Sequence, residues 1–158
     1  MHTTDQTGAA TAEFIKGAAF TGFDFDPNNC NRSFIHTANL LGNHDFDGMM
    51  ANQIIDFMNA HPEKYKKVSA PEAADAAIHG HHVASGLRAS KGSGHVQTII
   101  DAPMREPDLT SHLPGEVYPV AVSGAQSNWE GAKNRGLHTV RDGYNSDDWL
   151  LVRYWVVR

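Results

Sequence analysis

Over the first half of the chain, apolar residues recur three and four positions apart, the spacing that gathers them on one face of a helix. AATAEFIKGAAF (9–20) predicts a first helix with Phe14, Ala18 and Ala19 near that spacing, behind a polar, frayed start over residues 1 to 8. TGFDFDPNN (21–29) reads as a loop, because Gly22, Asp26-Pro27 and the asparagine pair are turn chemistry. The asparagines can cap the helix that follows, where Phe34, Ala38 and Leu41 share a face beside Ile35 and Gly42 ends the run. MMANQIIDFMNAHP (49–62) predicts a third helix, with Met50, Ile54, Phe57 and Met58 inward and Pro62 as its stop. SAPEAADAAIHG (69–80) sets Ser69 and Glu72 at capping-box spacing ahead of an alanine-rich turn or two closed by Gly80.

Past residue 80 the period changes to two. HHVASGL, GHVQTIID, VYPVAVSG and WLLVRYWVVR are strand candidates separated by glycine, proline and charged loops, and LHTVRDGY adds another short one. Helices come first and strands second, with no repeat, low-complexity tract or linker between them. That order predicts one α+β domain over residues 1–158.

Composition narrows the partners. The net charge of −5 is dispersed, with no block of lysines or arginines, which disfavours nucleic acid or an anionic membrane surface. No run approaches the roughly 18 apolar residues of a membrane span, so no membrane insertion is expected. MHTTDQTGAATAEF lacks the basic start and apolar core of a secretory signal, so synthesis in the cytoplasm without a signal peptide is expected. A single cysteine excludes an intrachain disulfide, and the fold must be held by packing.

That cysteine, Cys30, falls at a predicted helix start rather than on an apolar face. A helix N-terminus and a neighbouring imidazole can lower a thiol pKa from about 8.5 to roughly 3.5–7.5, which makes a nucleophilic thiolate. His95 is the candidate imidazole: it opens a predicted strand after the small residues GSG, which leave its ring room. A base on the sheet facing a thiol on a helix is a nucleophile–base pair. The competing interpretation of the same spacing is a buried filler cysteine and a surface strand histidine.

Other polar clusters compete for attention. LGNHDFDG (41–48) resembles a metal-binding motif of calcineurin-like metallophosphoesterases, and HGHH (79–82) a later one, but the upstream Asp-x-His block such a two-metal site needs is missing. A polar loop between helices accounts for the first. His81 and His82 point to opposite faces if extended, so they cannot easily share a zinc ion, and a solvated strand entry is expected. His36 is expected to pack on its helix, Met49, Met50 and Met58 to pack between helices, and Trp149 and Trp155 to lie in the core or on a sheet face. Trp129, in a loop, is the aromatic residue best placed to meet a ligand. No cofactor and no metal are expected.

The run NCNRSFIHTANLLG (29–42) resembles the nucleophile helix of the NlpC-type cell-wall peptidases, a papain-like superfamily. More closely, the chain is similar to the first family of type VI secretion amidase effectors. The shared order is short helix, Asn-Cys loop, nucleophile helix, second helix, alanine-rich turn, then strands. MMANQIIDFM resembles the second helix, APEAADAAIHGHHVASGL the approach to the first strand, and GHVQTII the family's Gly-His-Val strand. YPVAVSG, GLHTV and the aromatic last strand complete a likeness that covers nearly the whole chain. The resemblance implies a papain-like NlpC-type fold, with N-terminal helices packed on a C-terminal antiparallel sheet. It implies Cys30 as nucleophile and His95 as general base, with oxyanion donors at the Cys30 amide and a neighbour. The third position, which would hold the imidazole, matches Ser123. The wider pattern favours histidine or another strong polar group there, so a backbone carbonyl is the alternative orienter.

The implied activity is hydrolysis of the D-glutamyl–meso-diaminopimelate bond of the peptidoglycan stem peptide. It would belong to an antibacterial toxin carried by secretion machinery, or released by lysis for a phage enzyme, into the periplasm of a target bacterium. A cognate immunity protein is the implied partner. The rival from another class is a non-catalytic module of the same fold that binds cell wall or protein.

Overall fold

A computed structural model describes residues 3–90, 94–125, 133–144 and 148–158. It contains four helices, α1 (Thr3–Phe25), α2 (Cys30–Leu40), α3 (Ala51–Ala60) and α4 (Ala70–Ile78). The strands are β1 (Tyr65–Val68), β2 (Val83–Leu87), β3 (His95–Ile99), β4 (Val120–Val122), β5 (Leu137–Thr139) and β6 (Arg153–Val157). They form one antiparallel sheet in the order β1-β6-β2-β3-β4-β5. The fold is therefore α+β, and none of the helices is long and apolar enough to cross a membrane among the described residues.

The first helix departs from expectation at both ends. It already runs at Thr3 and continues through Gly22 to Phe25, where turn chemistry had predicted a loop. The reason is packing. A Cβ on Gly22 would meet the Thr37 hydroxyl and come within 2.5 Å of the Ser33 carbonyl, so glycine is what lets α1 lie close against α2. Ile15, not Phe14, turns inward with Ala12, Ala18, Ala19 and Phe23. Similarly Met50 stays exposed ahead of α3, where its amide donates to Gln53 Oε1 at 2.8 Å, and Ile55 joins Ala51, Ile54 and Met58 inside. In α2, Phe34 and Ala38 are buried as their spacing predicts, and Gly42 follows the helix at φ +82°, a left-handed stop. Ser69 and Glu72 form their capping box reciprocally at the start of α4.

Strand parity sorts the core into two faces. Ala84, Val96 and Trp155 point toward α2 and α3, packing with Phe34, Ile54 and Met58, while Ile100, Val120 and Val122 meet Ala19 and Phe23 of α1. The opposite face holds Val83, Ile99, Ala121 and Tyr154 with Ala73 and Ala77 of α4, and with Val140, Tyr144 and Val152. So α4 packs on the sheet face opposite α2 and α3 and meets α1 where Gly8 comes close to His79 and Gly80; the sheet lies between two layers. The patterning also passed over β1, an edge strand whose lysines 66 and 67 are exposed while Tyr65 is buried. The long connection from β3 to β4 is tied down by Asp142, which accepts from the Asp108 and Leu109 amides at 2.8 and 3.0 Å and from the Thr139 hydroxyl at 3.0 Å.

Candidate active site

Cys30 begins α2, but Asn29 does not cap it. Asn29 is extended and directs its amide to Asp26 Oδ1 at 2.9 Å, so its side chain caps none of the α2 amides. The half-buried Cys30 thiol instead collects backbone donors, since the amides of Val96, Asn31 and Cys30 itself are directed at the sulfur. Its own hydrogen faces the Gly94 carbonyl, with Sγ 3.9 Å from that oxygen. Sγ therefore lies against the backbone on either side of His95.

Three residues fix that approach. Ser33, one turn into α2, donates to the Cys30 carbonyl at 3.1 Å and accepts from the Gly124 amide at 3.1 Å. It thereby ties the start of α2 to the chain just beyond β4. A Cβ on Gly124 would come within 2.8 Å of the Asp26 carbonyl, so this junction admits only glycine at that spacing. Just ahead of β3, a Cβ on Gly94 would strike Asn52 and come within 2.6 Å of the Leu87 carbonyl. The small residue ahead of His95 thus serves the contact with α3 and β2 as well as leaving space for the ring.

Ser123, at the end of β4, is buried and sets its hydroxyl 3.3 Å from His95 Nε2. Its amide donates to the Gly136 carbonyl at 3.2 Å, which fixes the backbone that aims it. Nε2 is thus the His95 ring nitrogen turned to Ser123. Behind the histidine runs a buried polar chain that the sequence did not disclose. The Ser85 hydroxyl donates to Gln97 Oε1 at 2.8 Å, Gln97 Nε2 lies 2.8 Å from His138 Nε2, and His138 Nδ1 donates to the Gly136 carbonyl at 2.6 Å. Gln97 is two residues along the same strand from His95 and hence on the same face. The Tyr144 ring completes the wall, meeting His95 edge-on with centroids 5.3 Å apart.

The electrostatics reverse one expectation. The helix start was expected to depress the Cys30 pKa. Burial instead pushes it up, outweighing the three amides that pull it down. Burial, with a smaller contribution from His138, likewise holds His95 down at about 3. Burial therefore favours the neutral thiol of Cys30 and the neutral imidazole of His95.

The remaining polar clusters have structural partners. In the GNHD loop Asp45 accepts from Tyr65 Oη at 2.6 Å and from Lys64 Nζ at 2.7 Å, and Asn43 donates to Tyr65 Oη at 3.0 Å. Loop and first strand are braced together by these bonds. No group of three His, Cys, Asp or Glu among the described residues is arranged to hold a metal ion. His82 is not at a solvated strand entry: it is buried against Phe34, its Nε2 has no hydrogen-bond partner among the described residues, and burial lowers its pKa to about 4. His36 stacks on Phe25 with centroids 4.1 Å apart. Trp149 meets Tyr118 edge-on and Trp155 is buried with its Nε1 donating to Asn59, whereas Trp129 lies outside the described residues. Neither the models of known protein families nor the curated proteins contain a match to this chain.

Proposed function

We propose that this protein is a cysteine amidase that hydrolyses the D-glutamyl–meso-diaminopimelate bond of peptidoglycan stem peptides. The observation that carries the chemistry is the Ser123 hydroxyl 3.3 Å from His95 Nε2, with the Cys30 sulfur held against the Gly94 carbonyl and the Val96 amide that flank this histidine. A nucleophile, a base and an orienting group thereby come from α2, β3 and β4, three separate elements. The substrate class rests on the resemblance of NCNRSFIHTANLLG and GHVQTII to the type VI amidase effectors and their NlpC-type relatives.

In the proposed cycle the Cys30 thiol passes its proton to His95 while sulfur bonds to the scissile carbonyl carbon. Collapse of the tetrahedral intermediate breaks the C–N bond, and His95 returns the proton to the leaving amine. Water then attacks the thioester with His95 again as base, releasing the acid and restoring the thiol. Such a toxin reaches the periplasm of a target cell by injection, and its producer is protected by an immunity protein that covers the cleft.

The test is digestion of purified sacculi, with the fragments identified by mass. New amine termini at meso-diaminopimelate and new carboxylates at D-glutamate, absent with Cys30→Ala, are expected. Intact sacculi, or fragments produced equally by Cys30→Ala, would overturn the proposal.

A further inference from the structure

Among the groups that the Cys30–His95–Ser123 chemistry leaves unused, Tyr144 stands apart. It follows a short 3-10 turn, Val140–Gly143, and is 9% exposed, yet its hydroxyl is buried with no hydrogen-bond partner among the described residues. Buried tyrosine hydroxyls ordinarily find a partner, and an exception asks for an explanation. The ring stands edge-on to His95 at 88°, so the orphaned hydroxyl belongs to the wall of the candidate site.

The amides of Cys30, Asn31 and Val96 converge on the sulfur, whereas the oxygen that becomes negative during acyl transfer sits on the carbon beyond it. We propose that the Tyr144 hydroxyl is a catalytic hydrogen-bond donor to the acyl oxygen of the substrate as Cys30 attacks. This rests on the acyl-transfer reading above and adds a residue to it. The phenol is suited to the task. Burial first, then Tyr154 and the Cys30 sulfur, hold its pKa well above the usual range, so it keeps its proton. The turn that carries it is rigid: Asp142 is held by two amides and Thr139, and a Cβ on Gly143 would come within 2.9 Å of His138 Nε2. A donor fixed in advance costs no reorganisation when the charge appears.

Tyr144→Phe removes the hydroxyl and keeps the ring. Because that hydroxyl has no partner among the described residues, the variant should melt at or above the wild-type temperature, unlike a variant that loses a structural bond. Two reagents then separate the roles of the phenol. p-Nitrophenyl acetate acylates Cys30 through an oxyanion: the C–S bond forms, nitrophenolate leaves, and the thiol proton passes through His95 to solvent. Iodoacetamide alkylates the same sulfur by displacing iodide, with no oxyanion. Acylation, followed by intact mass, should slow on the order of 10²-fold in Tyr144→Phe while alkylation is unchanged. Equal acylation rates, equal slowing of both reactions, or a wild-type Cys30 that takes no acetyl group would overturn the assignment. If sacculi resist the protein while acetylation still depends on the phenol, the substrate class falls and the role of Tyr144 stands.

Discussion

Replacing His82 by phenylalanine should make the protein less sensitive to acid, by an amount the structure sets. His82 is 8% exposed, rests on the Phe34 ring and has its pKa lowered by burial to about 4. An unfolded histidine titrates near 6.5, so between these values the unfolded chain binds a proton that the native one refuses. Stability is therefore full above about pH 6.5 and is lost as pH falls toward the native value, by up to about 3 kcal/mol for this one residue at 1.36 kcal/mol per unit. Set against a typical total of about 5–15 kcal/mol, that is a large fraction. The interval from pH 6 to pH 5 confines the change largely to the buried histidines His82, His95 and His138. His112, whose pKa is raised by the Thr110 carbonyl and Glu106, is protonated in both states there, and the depressed carboxylates act lower. Over that unit His82 should account for about 1 kcal/mol of the lost stability. Urea unfolding followed by circular dichroism at pH 5.0, 5.5 and 6.0 gives the slope directly. His82→Phe should flatten it by nearly one proton while His95 and His138, also buried and depressed, keep the remainder. Parallel lines for variant and wild type would refute the claim that His82 is held neutral in the native protein.

Three further outcomes follow from the site and its supports. Ser123→Ala should lower kcat/KM by a few-fold to about tenfold, the worth of one neutral hydrogen bond of about 0.5–1.5 kcal/mol, and an unchanged rate would assign the orienting role to a backbone carbonyl instead. Iodoacetamide labelling of Cys30 in the unliganded protein should rise only at or above the free-thiol pKa of about 8.5, because burial outweighs the amides at the sulfur; a labelling midpoint below 7 would show a resting thiolate. Gly22→Ala gains about 1 kcal/mol of helix propensity but forces α1 off the Ser33 carbonyl, an overpacking cost of about 1–3 kcal/mol, so thermal melts should shift down and kcat should fall as α2 moves; a higher melting temperature would contradict the close approach.

What was legible in the chain was whatever local chemistry decides. The face of Phe34 and Ala38, the glycine stop at Gly42, the Ser69–Glu72 box and the period-two runs at 83–87 and 95–99 all follow from neighbours within a turn or a strand. The departures arise where distant segments intervene. Gly22 looks like a loop residue until α2 is set against it, and Asn29 looks like a cap until Asp26 takes its amide. His82 looks solvated until the Phe34 face covers it. The same holds in the candidate site. Cys30, His95 and Ser123 could be nominated from the sequence, whereas Ser33 as the tie between α2 and the β4 exit could not. Nor could the Ser85–Gln97–His138 chain or the orphaned hydroxyl of Tyr144, since each depends on a partner far along the chain. Above all, the thiol pKa turned on burial, which no local motif encodes.

The most direct test of the account is to catch the acyl-enzyme. Purified protein mixed with a soluble stem peptide containing the D-glutamyl–meso-diaminopimelate bond, then quenched in acid within a turnover, should carry the N-terminal fragment as a thioester. Intact and peptide-level mass should place that adduct on Cys30, with none in His95→Ala and cleavage abolished in Cys30→Ala. Cleavage of the peptide that persists in Cys30→Ala, or an adduct on any other residue, would contradict the account.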